Sequence, residues 1–172
     1  MFLCKILDLP KVPTELLTPG ALQESYVGWV HTLADGSREF SANHPLYNVS
    51  EELKSWVNEN IYSGYKKIGI KHAEGGPDHP FIGLHTDATR KYVLQYNLES
   101  AGGKLHYWKE HDQPLLRDRR INLGDYNNVD LVEVVDVPDC TWHLINTMVL
   151  HSVEGITGTR VNLQLSLDHA PF

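Results

Sequence analysis

Short segments in which apolar and polar residues alternate are the dominant pattern of this chain. In residues 160–167 the apolar side chains share one parity and the polar ones the other, as Val161, Leu163, Leu165 and Leu167 alternate with Asn162, Gln164 and Ser166. A period of two is typical of a β-strand. Similar segments bounded by Gly, Pro or Asn predict further strands at residues 23–32, 67–71, 81–85, 92–98, 104–108, 131–137 and 141–150.

The pattern becomes helical once, after Ser50. Ser50 can cap a helix, and apolar side chains then recur at helical spacing as Leu53, Trp56, Val57 and Ile61. One helix among many short strands predicts a mainly β fold, which we interpret as a double-stranded β-helix (jelly roll) with a few flanking helices. We expect one domain of residues 1–172, in which residues 1–66 flank a core of residues 67–172.

Composition excludes some classes of protein. The chain has 172 residues, 41% hydrophobic and 22% charged, as in ordinary globular proteins. A net charge of -7 argues against nucleic-acid binding, and the short basic group Arg117, Arg119 and Arg120 predicts a solvated loop. No apolar stretch approaches the roughly twenty residues that span a bilayer. Cys4 and Cys140 lack metal-ligand spacing, so we expect both to be buried and reduced. We therefore expect a cytoplasmic protein without a membrane partner.

Two histidines and one aspartate are the candidate metal ligands. In a strand, side chains two residues apart share a face, so His85 and Asp87 of His85-Thr86-Asp87 can both reach one metal ion. His72 and Glu74 form a competing pair, but they lead directly into a Gly-rich loop. His151 ends the mostly apolar run of residues 144–150, where a ligand role would offset the cost of burying an imidazole. Two imidazoles and one carboxylate can hold Fe(II).

Arg160 lies nine residues after His151 and opens the alternating segment of residues 160–167. A guanidinium on an inward-facing strand needs an anionic partner, and none is evident in the local sequence. A bound carboxylate would supply that partner. The alternative is a surface salt bridge with an acidic side chain.

In this order, the residues resemble those of the Fe(II)/2-oxoglutarate-dependent oxygenases over about residues 79–167. That family has a His-x-Asp pair, a strand, a Gly-Gly hairpin, then a distal His with an Arg about ten residues on, which correspond here to His85, Asp87, Gly102-Gly103, His151 and Arg160. The similarity is greatest to small prolyl-hydroxylase-like or aspartyl/asparaginyl-hydroxylase-like members. It implies that His85, Asp87 and His151 ligate a catalytic Fe(II), with open positions for 2-oxoglutarate and O2.

The resemblance also implies that Arg160 binds the far carboxylate of 2-oxoglutarate. Family members often add a hydroxyl from a Ser two residues after the Arg, or from a Tyr on the strand after the His-x-Asp pair. This chain has Asn162 at the first place, and Asn97 or Tyr96 near the second. The implied reaction is hydroxylation of an unactivated C–H bond in an amino acid, peptide or small metabolite, with release of succinate and CO2. The oligomeric state stays open.

Two other classes of protein fit part of the pattern. A cupin-like non-haem iron enzyme would use the same three ligands without 2-oxoglutarate, which leaves Arg160 without a role. A jelly-roll binding module for a carbohydrate or a protein would bind no iron. Two loops, residues 75–80 and 112–128, are placed to cover the mouth of a site. His106 and His143 are further candidates near the site, of which we expect at least one to be structural.

Overall fold

The structure is a computed structural model that describes residues 1–24, 30–32, 38–40, 44–78, 81–87 and 89–172. Part of the predicted strand at residues 23–32 lies outside these residues. The described residues form thirteen strands, the helix α1 (Glu51–Asn60) and a short 3-10 helix (Thr14–Leu16). The strands are β1 (Cys4–Leu7), β2 (Leu22–Glu24), β3 (Val30–Thr32), β4 (Arg38–Phe40), β5 (Leu46–Tyr47), β6 (Lys67–Glu74), β7 (Ile82–His85), β8 (Tyr92–Glu99), β9 (Lys104–Glu110), β10 (Val129–Val135), β11 (Thr141–Asn146), β12 (His151–Glu154) and β13 (Thr159–Leu167).

Two antiparallel sheets make up most of the fold. The larger has the order β1-β11-β8-β13-β6-β5-β2, the smaller has the order β10-β9-β12-β7, and β3 and β4 pair separately. From β6 to β13, every consecutive pair of strands except β9 and β10 crosses from one sheet to the other. This is the winding of a double-stranded β-helix, so the predicted fold class is confirmed.

The alternation of residues 160–167 separates two layers of the molecule. Leu163 and Leu165 are fully buried in a core cluster that also contains Leu53 and Val57 of α1. The helix begins as predicted, since the Ser50 Oγ accepts a hydrogen bond from the Leu53 N–H at 3.1 Å. The polar residues of β13 have the opposite parity, so they face the space between the two sheets.

One predicted strand is wrong in extent. Residues 141–150 form β11 only as far as Asn146, and the chain then turns so that His151 begins β12 in the smaller sheet. The turn is stabilised by the Met148 N–H, which donates to the Asn146 Oδ1 at 3.2 Å. Because residues in the turn are buried as well as those in the strands, hydrophobicity alone did not mark the break.

Two smaller expectations are corrected. Cys140 is exposed, in a turn where its φ is +55°, so only Cys4 is even partly buried; both cysteines are free thiols. Arg117 is not simply solvated, because it forms an ion pair with Glu110 at 2.6 Å and its side chain is only 11% exposed. Among the described residues, the helices are too short or too polar to cross a membrane.

Candidate active site

The two predicted histidine ligands meet between the sheets. His85 is the last residue of β7 and His151 the first of β12, and these antiparallel strands pair the two residues directly. The imidazole centroids are 4.2 Å apart, and each residue is only 6% exposed. Residues 66 positions apart in sequence therefore present their rings at one point of the smaller sheet.

Backbone carbonyls set the orientation of both rings. The His85 Nδ1 lies 2.7 Å from the Gly83 carbonyl oxygen, and the His151 Nδ1 lies 2.8 Å from the Val149 carbonyl oxygen. An N–H that donates to a carbonyl places the proton on Nδ1 and the lone pair on Nε2, the arrangement that metal-binding histidines use. Burial lowers the pKa of both imidazoles, so both are neutral at physiological pH.

Asp87 lies two residues beyond His85, between that ring and Arg90. Its Oδ1 is 3.7 Å from the His85 Nε2, and its Oδ2 accepts a hydrogen bond from the Arg90 Nε at 2.5 Å. Burial is the largest single effect and would raise the pKa of Asp87. The charge and hydrogen bond of Arg90, together with the neighbouring His85 and His151, outweigh burial and hold that pKa well below its usual value. The carboxylate is therefore ionised.

The donor set fits Fe(II), since two neutral imidazoles and an ionised carboxylate are the ligands that this ion takes in oxygenases. In the part of the chain that the structure describes, no three His, Cys, Asp or Glu side chains are already arranged to hold a metal ion. One carboxylate oxygen of Asp87 is engaged by Arg90, and the other lies 3.7 Å from the His85 Nε2.

A pocket of about 450 Å³, including its open mouth, extends from the two histidines between the sheets. Three of its lining residues are cationic and none is acidic, so it favours anionic ligands. The remaining lining residues are either polar and uncharged or aliphatic. The full lining is Lys71, Ile82, His85, Arg90, Val93, Gln95, Leu105, Ile145, Thr147, His151, Val153, Arg160 and Gln164.

Arg160 is the most deeply buried of the three cations. It is 6% exposed, and no described residue accepts a hydrogen bond from its Nε. Burial lowers the pKa of Arg160 to about 10, although Asp139 opposes this shift, so the guanidinium stays charged at neutral pH. A buried charge with an unsatisfied donor is costly unless a ligand pairs with it. Its burial also rules out the alternative of a surface salt bridge.

The structure distinguishes Asn162 and Asn97 from Tyr96, the three further residues that the resemblance implied near the 2-oxoglutarate site. Asn162 and Asn97 pair across β13 and β8 and are almost completely buried. Both amide atoms of Asn162 and the Oδ1 of Asn97 lack a hydrogen-bond partner among the described residues, but neither residue lines the pocket. Tyr96 packs on Trp142 in the core cluster behind the sheet, with ring centroids 5.1 Å apart. Because adjacent residues of a strand face opposite sides, Tyr96 is corrected to a core residue.

The competing pair lies elsewhere. The ring of His72 packs against that of Tyr47 in a tilted arrangement, with centroids 4.8 Å apart, and Glu74 is exposed. Lys71, the neighbour of His72 on β6, is the residue that lines the pocket. His72 therefore faces away from the candidate metal site.

Sequence reasoning missed five polar residues of the pocket: Lys71, Arg90, Gln95, Thr147 and Gln164. Gln164 shares the parity of Arg160 on β13, and the register pairs Gln164 with Gln95 on β8, so strand alternation carried a signal for both. His143 pairs with Gln95 from the other side and is fully buried. No pattern in the sequence indicated the contact between Arg90 and Asp87.

The segment of residues 112–128 runs beside β7 as an added edge. Thr86, between the two candidate ligands, donates from its Oγ1 to the Arg119 carbonyl at 2.9 Å and accepts from the Ile121 N–H at 3.0 Å. The Leu123 N–H donates to the Leu84 carbonyl at 2.9 Å. The segment is therefore tied to the strand that carries His85.

Two solved structures are similar to this chain at low sequence identity. An oxidoreductase of the 2OG-Fe(II) oxygenase family from Burkholderia pseudomallei is 12% identical, with a TM-score of 0.48 over 81% of this chain and 70% of its own. A prolyl-4-hydroxylase from Pseudomonas putida is also 12% identical, with a TM-score of 0.37 over 76% of this chain and 74% of its own. No protein-family model and no curated protein matches the sequence. The functional conclusion therefore depends on the geometry of the site.

Proposed function

We propose that this protein is an Fe(II)- and 2-oxoglutarate-dependent dioxygenase that hydroxylates an unactivated C–H bond and releases succinate and CO2. The observation that supports this most strongly is one pocket that contains two opposed imidazoles oriented through Nδ1, with an ionised aspartate beside them, and a buried arginine with an unsatisfied donor. The histidines and Asp87 suit a metal ion, and Arg160 suits a carboxylate.

The residues of the chain have distinct roles in this proposal. His85, His151 and Asp87 would hold the iron, which when bound supplies the capacity to activate O2 together with 2-oxoglutarate. The carbonyls of Gly83 and Val149 keep both Nε2 lone pairs directed at that position. These bonds preorganise the ligands before any metal binds.

Arg160 would bind the far carboxylate of 2-oxoglutarate. Its burial removes competing water, so an ion pair there is stronger than one at the surface. The aliphatic lining residues Ile82, Leu105 and Val153 limit the access of water beside it. Asn162 and Asn97 lie on the same inward face as Arg160 and have amide atoms without a hydrogen-bond partner among the described residues, although neither lines the pocket.

The deciding experiment is an anaerobic titration of the protein with Fe(II) and 2-oxoglutarate. We expect the weak visible charge-transfer band that forms only when both bind at one site, and its loss in His151→Ala. His72→Ala is the matched control, because it removes an imidazole on the other face of the larger sheet. Iron binding without the band would favour the cupin-like enzyme, and no iron binding would favour the binding module.

A further inference from the structure

The proposed reaction gives no role to Arg90. It lies in the short connection between Asp87 and β8, and its backbone is fixed by Thr147, whose Oγ1 donates to the Arg90 carbonyl at 3.0 Å. The Thr147 N–H donates to the Lys91 carbonyl at 3.1 Å, and the Asp87 N–H donates to the Thr147 carbonyl at 3.0 Å. Thr147 is 1% exposed, so these hydrogen bonds are shielded from water beside the candidate ligands.

Part of the Arg90 guanidinium donates no hydrogen bond to the described residues. Its Nε donates to the Asp87 Oδ2 and its Nη1 lies 3.4 Å from the Ser166 Oγ. Among the described residues none accepts a hydrogen bond from its Nη2, and the side chain is 19% exposed where it lines the pocket. A guanidinium offers five N–H donors in a planar fork, which matches the two oxygens of a carboxylate.

The pocket has a cationic group near each end of the inward face of β13. Arg160 lies near the start of that strand, and Arg90 contacts Ser166, six residues further along, a rise of about 20 Å. Arg160 is already assigned to one carboxylate of the cosubstrate. Asp87 occupies the Nε of Arg90, and no acidic residue lines the pocket, so the Nη side of the guanidinium faces the pocket for a second carboxylate.

We propose that Arg90 binds the carboxylate of the primary substrate, which is therefore a small carboxylic acid such as a free amino acid. The proposal rests on the function proposed above. Because Arg90 shares Asp87 with the candidate metal site, a carboxylate on its Nη atoms lies about two hydrogen-bond lengths, roughly 6 Å, from that ligand. The oxidised carbon is then only a few bonds from the substrate's carboxylate. An internal residue of a peptide lacks such a carboxylate.

The test uses the Fe(II)- and 2-oxoglutarate-loaded protein under anaerobic conditions. Acetate, short-chain acids and the common L-amino acids are titrated while the charge-transfer band and the heat of binding are recorded, and the carboxamides of the same compounds are titrated in parallel. We expect one or more acids to bind and their carboxamides to bind at least about tenfold more weakly.

Variants then assign the binding to Arg90. Arg90→Gln should weaken the binding of the acid by about tenfold or more, with a smaller loss in Arg90→Lys, which keeps the charge beside Asp87 but lacks the fork. Lys91→Gln removes the same charge from the exposed neighbouring residue and should have no effect. In Arg90→Lys, which keeps the charge beside Asp87, and in Lys91→Gln, the dissociation constant of 2-oxoglutarate should stay within about threefold of wild type.

Three results would overturn the inference. The first is that no acid in the series binds, or that acids and carboxamides bind equally. The second is that binding survives in Arg90→Gln. The third is that Arg90→Lys, which keeps the charge beside Asp87, weakens the binding of 2-oxoglutarate by more than threefold, which would assign Arg90 to the cosubstrate. Absence of the band in the wild-type protein is a different result, since it would refute the proposed function itself.

Discussion

At the scale of single residues, the site depends on polar groups that are buried before any ligand is present. His85 and His151 are kept neutral by burial, whereas Asp87 is kept ionised by Arg90. These are the protonation states that metal binding needs, because a ligand atom must carry an available lone pair. The chain therefore holds its candidate ligands ready at neutral pH.

The first prediction concerns the two histidine–carboxylate pairs. His85→Ala and Asp87→Ala should abolish iron-dependent succinate release and weaken Fe(II) binding by about tenfold or more, because each removes one of three ligands. His72→Ala should bind Fe(II) like the wild-type protein. Equal loss in His72→Ala and His85→Ala would show that the metal site is misassigned.

The second prediction concerns Arg160. Arg160→Met should raise the dissociation constant of 2-oxoglutarate by about tenfold or more, because the carboxylate loses a buried ionic partner. It should not lower the melting temperature of the ligand-free protein, since removal of a buried charge is often neutral or stabilising. Thermal unfolding with and without 2-oxoglutarate measures both effects.

Arg117→Met is the control for Arg160→Met. Arg117 is part-buried in its ion pair with Glu110 but does not line the pocket. Its replacement should leave 2-oxoglutarate binding unchanged and lower the melting temperature, because Glu110 loses its partner. The proposed carboxylate site would be wrong if both variants bound 2-oxoglutarate like the wild-type protein.

At the scale of elements, the segment of residues 112–128 is connected to the metal site through Thr86. Thr86 is fully buried, and its hydroxyl both donates to and accepts from the segment. Its own N–H donates to the Ile121 carbonyl at 2.9 Å. Because Thr86 stands between His85 and Asp87, loosening of the segment is expected to disturb both ligands.

The third prediction tests this connection. Thr86→Val keeps the shape of the side chain but removes both hydroxyl hydrogen bonds, which should destabilise the segment by about 2 kcal/mol. Hydrogen exchange at Ile121 should become faster, and Fe(II) affinity should fall by less than in His85→Ala. Thr157→Val, which removes one hydroxyl hydrogen bond to the Ala101 carbonyl, should leave exchange at Ile121 unchanged. Unaltered exchange in Thr86→Val would contradict the connection.

At the scale of the whole molecule, the interior of the larger sheet is unusually polar. Gln95, Asn97, His143, Arg160 and Asn162 are all buried, and each has at least one atom without a hydrogen-bond partner among the described residues. Buried polar groups lower stability unless they are satisfied. Ligand binding in this interior is therefore expected to stabilise the protein strongly.

The fourth prediction is a loss of stability in acid. Burial lowers the pKa of His143 from 6.5 to about 3, so at a pH between these values the unfolded chain binds more protons than the folded chain. The free energy of unfolding is then highest above 6.5 and falls as the pH is lowered towards 3, by up to about 1.4 kcal/mol per pH unit for this histidine.

Urea unfolding at about pH 7, 6 and 5 measures this dependence. His143→Gln, which has no titrating ring, should show a shallower fall of the free energy of unfolding with decreasing pH than the wild-type protein. His111→Gln is the control, because His111 is substantially exposed in an ion pair with Asp130. Equal slopes in His143→Gln and the wild-type protein would show that His143 is not buried as a neutral ring.

Much of the fold was predictable because its signals are local. The helix α1 follows from Ser50 and the spacing of Leu53 and Val57, and β13 follows from a period of two. The break between β11 and β12 was missed because apolar residues occur on both sides of it. Burial of a turn by the rest of the molecule leaves no mark in local periodicity.

The sequence by itself determined the candidate ligands His85, Asp87 and His151 and the candidate anion site at Arg160, because residue type and order carry that chemistry. Only the tertiary structure decided that His85 and His151 are opposed, that Asn97 faces inward while Tyr96 faces the core, and that Arg90 contacts Asp87. Strand register and the winding of two sheets set these distances. The pairing of His85 with His151 and the inward face of β8 depend on contacts between residues far apart in sequence, which no local pattern encodes.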